Sequence, residues 1–136
     1  MLKRQEKIGN GIDMLNKICL DTSALIEIYR ENPSIKVIVE RYNEIYVTPI
    51  TIFEFGKRKL TIHLIKEILE NYLTLNIGYE DSILALKMFK DLVVSGNLIG
   101  DNDIIIGACC INNDIPLLTL NKKHFERLKK FGLRVV

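Results

Sequence analysis

Tryptophan is absent from the 136 residues, and the chain holds only three prolines, three cysteines and two histidines. Each shortage excludes something. Three cysteines cannot all pair, and the adjacent Cys109 and Cys110 lack the spacing of metal ligands, so they read with Cys19 as buried thiols of a reducing cytoplasm. The histidines, His63 and His124, make no zinc pattern with them. The longest apolar run, residues 104–111, falls far short of the ~18 residues a membrane span needs. No apolar stretch follows the basic first residues, so no secretory leader and no membrane association are expected.

What is present is ordinary for one globular domain. Hydrophobic residues make up 48% and charged residues 26%, which excludes a disordered tail. A chain of this length hides roughly two-thirds of its unfolded surface, so its core needs no disulfide or structural metal. The net charge of +2 conceals an asymmetry. Residues 121–136 carry Lys122, Lys123, Arg127, Lys129, Lys130 and Arg134 against Glu126 alone, on a mildly acidic body. A basic end of this kind suits either a polyanion ligand or a solvated helix face.

Residues 1–16 contain Gly9, Asn10 and Gly11 and no clean period, and are expected to form a loose extension, with Met14 an alternative start. Residues 17–136 are expected to form one domain. Lys17, Ile18, Cys19 and Leu20 read as a buried strand, and Asp21, Thr22 and Ser23, all helix N-cap types, precede a helix through Leu25, Ile26, Ile28 and Tyr29. Asn32 and Pro33 start a second helix reaching Tyr42. Residues 45–47 form a second strand, and Thr48 and Pro49 open a helix carrying Glu54. An amphipathic helix over 61–72, a strand over 73–77 and a helix over 81–94 follow. Asp101 or Asn102 then caps a buried helix over 103–111, whose Gly107 and Ala108 allow close approach to the sheet. A strand over 117–120, a helix over 122–131 and an edge strand over 133–136 complete the pattern. Short apolar strands alternating with helices predict an α/β fold, a three-layer α/β/α sandwich with a short, mainly parallel sheet.

In open parallel sheets, function sits outside the carboxyl ends of the strands. Asp21 ends the first strand, Glu54 lies in the helix after the second, Asp103 lies in the first turn of the buried helix, and Asn121 follows the fourth strand. Taken singly, Asp21, Asp101, Asp103 and Asn121 also suit helix N-termini. Glu54 is harder to explain that way, because Ile52, Phe53 and Phe55 surround it. Converging carboxylates resist ionising together unless a cation neutralises them, and such an oxygen-rich set suits Mg²⁺ or Mn²⁺.

Four blocks carry a resemblance. Leu20-Asp21-Thr22-Ser23, Ile52-Phe53-Glu54-Phe55, Gly100-Asp101-Asn102-Asp103 with the apolar run behind it, and Leu118-Thr119-Leu120-Asn121 resemble, in order, the signature blocks of PIN-domain ribonucleases. The likeness is greatest to the small VapC-type toxins of toxin–antitoxin pairs. It implies metal-dependent hydrolysis of RNA, metal-site roles for Asp21, Glu54 and Asp103, and a fourth position at Asn121. It also implies that Ser23 and Thr119 support the acids. Many members carry Asp at the position of Asn121, and Asp101 is an extra acid that would partly compensate. Lys57, Arg58, Lys59, Lys122 and Lys123 are the expected RNA contacts. A homodimer through residues 61–95 and an antitoxin partner are expected as well. The alternatives are a non-catalytic PIN-like module binding RNA or protein, favoured by Asn121, and an RNA-maturation nuclease without an antitoxin.

Overall fold

The computed structural model describes residues 16–136. The expected loose extension and the alternative start at Met14 lie outside the described residues, except for Asn16. Its carbonyl accepts from the backbone N–H groups of Asn43 and Glu44 at 2.8 and 3.1 Å, which ties it to the next strand.

Four strands, β1 (Lys17–Leu20), β2 (Glu44–Val47), β3 (Leu73–Thr74) and β4 (Leu117–Leu118), form one sheet. The order is β3-β2-β1-β4 and every pair is parallel. Among the described residues six α-helices connect them, α1 (Thr22–Tyr29), α2 (Pro33–Val39), α3 (Pro49–Gly56), α4 (Ile62–Leu69), α5 (Tyr79–Ser95) and α6 (Asp101–Asn112), and a seventh, α7 (Lys122–Phe125), follows β4. A 3₁₀ turn, Glu126–Phe131, continues from α7.

The strand pleat sorts side chains into two cores, since neighbouring residues point to opposite faces. Ile18 and Leu20 of β1 pack with Ala24, Leu25, Ile35, Val39 and Phe55 under α1, α2 and α3. Cys19, between them in sequence, packs with Met88, Leu92, Ile106, Cys109, Phe125 and Leu128 under α5, α6 and α7. Leu117 joins this second core and Leu118 the first. The expected three layers follow directly. The three cysteines are buried free thiols, as expected. Burial first, then nearby Asp81, pushes the Cys109 thiol up to about 12, so it stays protonated and unreactive.

Several boundaries differ from expectation. Helix α2 ends at Val39 and α4 at Leu69, so Tyr42 and Tyr72 lie beyond their helices. Helix α6 starts at Asp101, and Gly100 occupies the cap position without any side-chain bond. Gly107 meets the 3₁₀ turn rather than the sheet: a Cβ there would run into the Leu128 side chain. The last helix splits into α7 and the 3₁₀ turn, which stops at Gly132 with φ 108°. The expected edge strand reduces to one parallel bridge, Leu117 with Val135. Strand β3 is two residues long, extended only by a bond from Leu75 N–H to the Val47 carbonyl at 2.8 Å.

Strand β4 stops early for a chemical reason. After Leu118, the Leu120 N–H turns to the Ser23 hydroxyl at 3.0 Å and the Asn121 N–H to the Thr119 hydroxyl at 2.9 Å. The backbone leaves the ladder to build the crevice between β1 and β4. Those strands lie on either side of the point where chain direction across the sheet reverses, the expected place for a ligand.

Candidate active site

Asp21 follows β1 directly and caps α1, accepting from the Ala24 N–H at 3.0 Å. It is 5% exposed. The same oxygen, Oδ1, accepts from the Ser23 hydroxyl at 2.6 Å, and Oδ2 accepts from the Thr119 hydroxyl at 2.5 Å. Both oxygens are therefore engaged, and the carboxylate is held in one orientation by the first turn of α1 on one side and by Thr119, just after β4, on the other. Burial raises its pKa above the usual 3.8, the three hydrogen bonds oppose that rise, and the nearby Glu54 adds to it.

Thr48 caps α3 by accepting from the Thr51 N–H, and Pro49 fills the first helical position, as the sequence predicts. Thr51 and Phe55, four residues apart, face the core and turn Glu54 towards Asp21. Glu54 is held at both ends: Thr22 donates to Oε1 at 2.6 Å and Asn102 to Oε2 at 3.1 Å. Neither donor is evident from the sequence pattern. Thr22 reads as a helix-start residue and Asn102 as a cap, and only the packing of α1 and α6 against α3 shows their second use.

Asp103, in the first turn of α6, completes the acidic group. Burial raises its pKa most, followed by the Asp21 charge, while His124 opposes the rise and Glu54 adds to it. The three acids thus share one electrostatic site. Asp101 stands at its rim, exposed, in the cleft that Glu54, Gly100, Asn102 and Asp103 line.

Asn121 sits at the cap position of α7 but makes no side-chain cap bond. Its amide turns instead to His124 Nδ1 at 2.8 Å, and the same ring nitrogen lies 3.6 Å from Asp103 Oδ2. His124 is the site residue that sequence reasoning missed. Its signal is the spacing of three from Asn121, which puts both side chains on one side of the first turn.

The basic candidates divide. Lys122 and Lys123 are exposed on α7 beside Asn121, with no ion pair or hydrogen bond among the described residues. The rest of the basic end is engaged within the fold. Lys130 pairs with Asp91 at 2.6 Å, Arg134 with Asp114 at 2.9 Å and Lys129 with Glu126 at 3.6 Å. Arg127 donates to the Asn97 and Leu98 carbonyls at 3.4 and 3.1 Å. Lys57, Arg58 and Lys59 are exposed at the end of α3.

The donor set can be tested against a cation. Among the described residues, no group of three His, Cys, Asp or Glu side chains is arranged to enclose a metal ion. The chemistry nevertheless fits Mg²⁺ or Mn²⁺. These ions keep much of their water and take one or two carboxylates rather than a full protein cage. Two acids with raised pKa, each raised partly by its acidic neighbours, are the arrangement a divalent cation would relieve.

Comparison with known proteins agrees with this geometry. The PIN domain family matches residues 18–131. Ribonuclease VapC1 of Methanocaldococcus jannaschii is 34% identical over 126 residues, 88% of this chain and 87% of that protein. Ribonuclease VapC of Rickettsia bellii is 27% identical over 129 residues, covering 88% of this chain and 96% of that protein. Among solved structures, VapBC-1 from nontypeable Haemophilus influenzae superposes with a TM-score of 0.74 at 26% identity, over 88% of this chain and 96% of that one. The match over nearly all the described residues, together with the four blocks meeting at one crevice, makes this chain a member of the PIN-domain family.

Proposed function

We propose that this chain is a divalent-metal-dependent endoribonuclease, hydrolysing RNA phosphodiester bonds as the toxin of a toxin–antitoxin pair. The observation that carries the reading is the buried Asp21, fixed by Ser23 and Thr119 and facing Glu54 and Asp103. The curated relatives are named ribonucleases and carry the VapC name that the four blocks resemble.

Asp21, Glu54 and Asp103 would hold Mg²⁺ or Mn²⁺. Such an ion, when bound, supplies a Lewis acid for the phosphoryl oxygen and lowers the pKa of water. The chain's own groups do the rest. Ser23, Thr119 and the Ala24 N–H hold the Asp21 carboxylate and oppose its protonation. Thr22 and Asn102 keep Glu54 aimed into the cleft. Asn121 and Asp101 orient the attacking water, and His124 fixes the Asn121 amide. Lys122 and Lys123, with Lys57, Arg58 and Lys59, hold the RNA backbone, so binding weakens steeply with salt.

The remaining partners follow from surface chemistry. Ile62, Leu73, Tyr79, Leu86, Val93 and Val94 are large, apolar and exposed within the 61–95 segment. A homodimer through this segment would cover them. Light scattering of the purified chain tests it: a dimer is expected, and a monomer at working concentration removes the dimer.

Induced expression tests the toxin reading. Wild type should arrest growth and Asp103→Asn should not. Arrest by both would overturn the assignment of the site.

A further inference from the structure

The acidic cleft has a neighbour on α3 that the proposed chemistry does not use. Successive helical residues turn by about 100°, so Phe53, Lys57, Ile50 and Glu54 share one arc of α3, opposite the core-facing Thr51 and Phe55. Glu54 ends that arc on one side and Phe53 on the other, about 100° apart, with Lys57 and Ile50 between them. Glu54 lines the acidic cleft with Asp101. Ile50 lines an apolar groove with Ile77, Leu86, Phe89 and the same Asp101, so groove and cleft adjoin. Phe53 directly precedes Glu54 in the chain and lies one helical step from it around α3, on the side away from the core.

Phe53 is 69% exposed, an unusual position for a phenyl ring. The Lys57 ammonium lies over the ring, 5.5 Å from its centroid. Lys57 makes no ion pair with any acid among the described residues, and Arg58 and Lys59 beside it are also free of partners. A flat aromatic face with an uncompensated cation against it matches the two halves of a nucleotide: an unstacked base and its phosphate.

We propose that Phe53 and Lys57 form a nucleotide subsite beside the catalytic cleft, where an unpaired base of the RNA stacks on Phe53 and its phosphate meets Lys57. The subsite rests on the ribonuclease reading for its ligand class and narrows it. A base can lie on Phe53 only when it has left a duplex, so the substrate is single-stranded at the position next to the scissile bond. Stacking accepts any base, so the subsite selects strandedness rather than sequence.

The test is binding of a short fluorescent single-stranded RNA, and of its blunt duplex, in EDTA to prevent cutting. Wild type is compared with Phe53→Ala, Phe53→Trp and Lys57→Ala. Phe53 is mostly exposed, so all four should melt alike. Phe53→Ala should weaken single-strand binding about 5- to 150-fold and leave duplex binding unchanged, while Phe53→Trp keeps it. Lys57→Ala should reduce the slope of log affinity against log salt by about 0.7. Equal single-strand affinity for wild type and Phe53→Ala overturns the subsite, as does a Phe53→Trp chain as weak as Phe53→Ala. A Phe53→Ala chain with unchanged RNA affinity but altered oligomeric state also overturns it and assigns the face to protein contact. The two readings fail separately. Wild type that binds RNA through Phe53 but never cuts in Mn²⁺ keeps the subsite and loses the nuclease. Cutting with no Phe53 dependence of binding keeps the nuclease and loses the subsite.

Discussion

Thr119 is fully buried, and its hydroxyl is the only group donating to Asp21 Oδ2 among the described residues. Hydrogen bonds to such supporting groups typically carry about 10- to 100-fold in metal affinity or activity. Thr119→Val removes both the donor to Asp21 and the acceptor of the Asn121 N–H, so RNA cleavage should fall by at least about that factor while circular dichroism is unchanged. The raised pKa values of Asp21 and Asp103 make a second prediction. Between the unfolded value of 3.8 and the raised folded values, the folded chain holds protons that the unfolded chain has released. These two acids therefore contribute stability to the metal-free protein that is fully present below that window and is lost as pH rises through the folded pKa values. Thermal melts in EDTA across this range check it, and added Mn²⁺ should raise the melting temperature more near neutral pH than at acid pH. The fall is read against an Asp21→Asn, Asp103→Asn chain, and a pH profile identical in the two chains would contradict the placement of these acids. At this scale the sequence was most legible. Asp21, Glu54 and Asp103 end or follow strands in a recognisable order, and they meet. Thr22 and Asn102 were not legible, because each takes its role from a contact between elements far apart in the chain, and His124 left only its spacing from Asn121 as a signal.

The elements follow from local chemistry where a cap or a proline is present. Asp21, Asn32, Thr48 and Thr61 each accept from a backbone N–H in the first turn of the helix they precede, and those four starts are visible in the sequence. Ends are less visible, because the residues after a helix are apolar for tertiary reasons. Tyr42 and Tyr72 continue the apolar spacing of α2 and α4 yet lie beyond them, packed against the first core. Strand β4 shows the same limit: Thr119 and Leu120 look like strand, but side-chain hydroxyls take their neighbouring N–H groups. Gly107 illustrates an element-scale constraint that the sequence located on the wrong neighbour. In α6 an alanine would normally gain about 1 kcal/mol over glycine. Here the added methyl meets the fully buried Leu128, and overpacking costs about 1–3 kcal/mol. Gly107→Ala should therefore destabilise the wild-type background and stabilise the Leu128→Ala background. Urea melts of the four chains measure that reversal of sign, and additive effects would refute the contact.

At the scale of the whole molecule, topology does the functional work. The parallel order β3-β2-β1-β4 places β1 and β4 side by side, and the crevice at their carboxyl ends receives Asp21 from one and Thr119 from the other. Helices α3 and α6 then bring Glu54 and Asp103 to the same opening. Periodicity made the alternation of strands and helices readable, and the strand-end rule pointed to the crevice. The partitioning of charge was not readable. The basic end suited either a polyanion ligand or a solvated helix face, and the structure shows Lys129, Lys130 and Arg134 pairing with acids and Arg127 holding backbone carbonyls. Lys122 and Lys123 on α7, and Lys57, Arg58 and Lys59 at the end of α3, have no such partners among the described residues. Neutralising Lys122 and Lys123 together should flatten the salt dependence of RNA binding, whereas Lys130→Ala should leave it unchanged and cost stability by up to about 1 kcal/mol. The measurement that bears most directly on the central claim is cleavage of a mixed tRNA and rRNA pool by the purified chain. It is run with Mn²⁺, with Mg²⁺ and with EDTA, beside Asp21→Asn. Cutting that requires both the divalent ion and Asp21 is the predicted result. Cutting that survives EDTA or Asp21→Asn would contradict it.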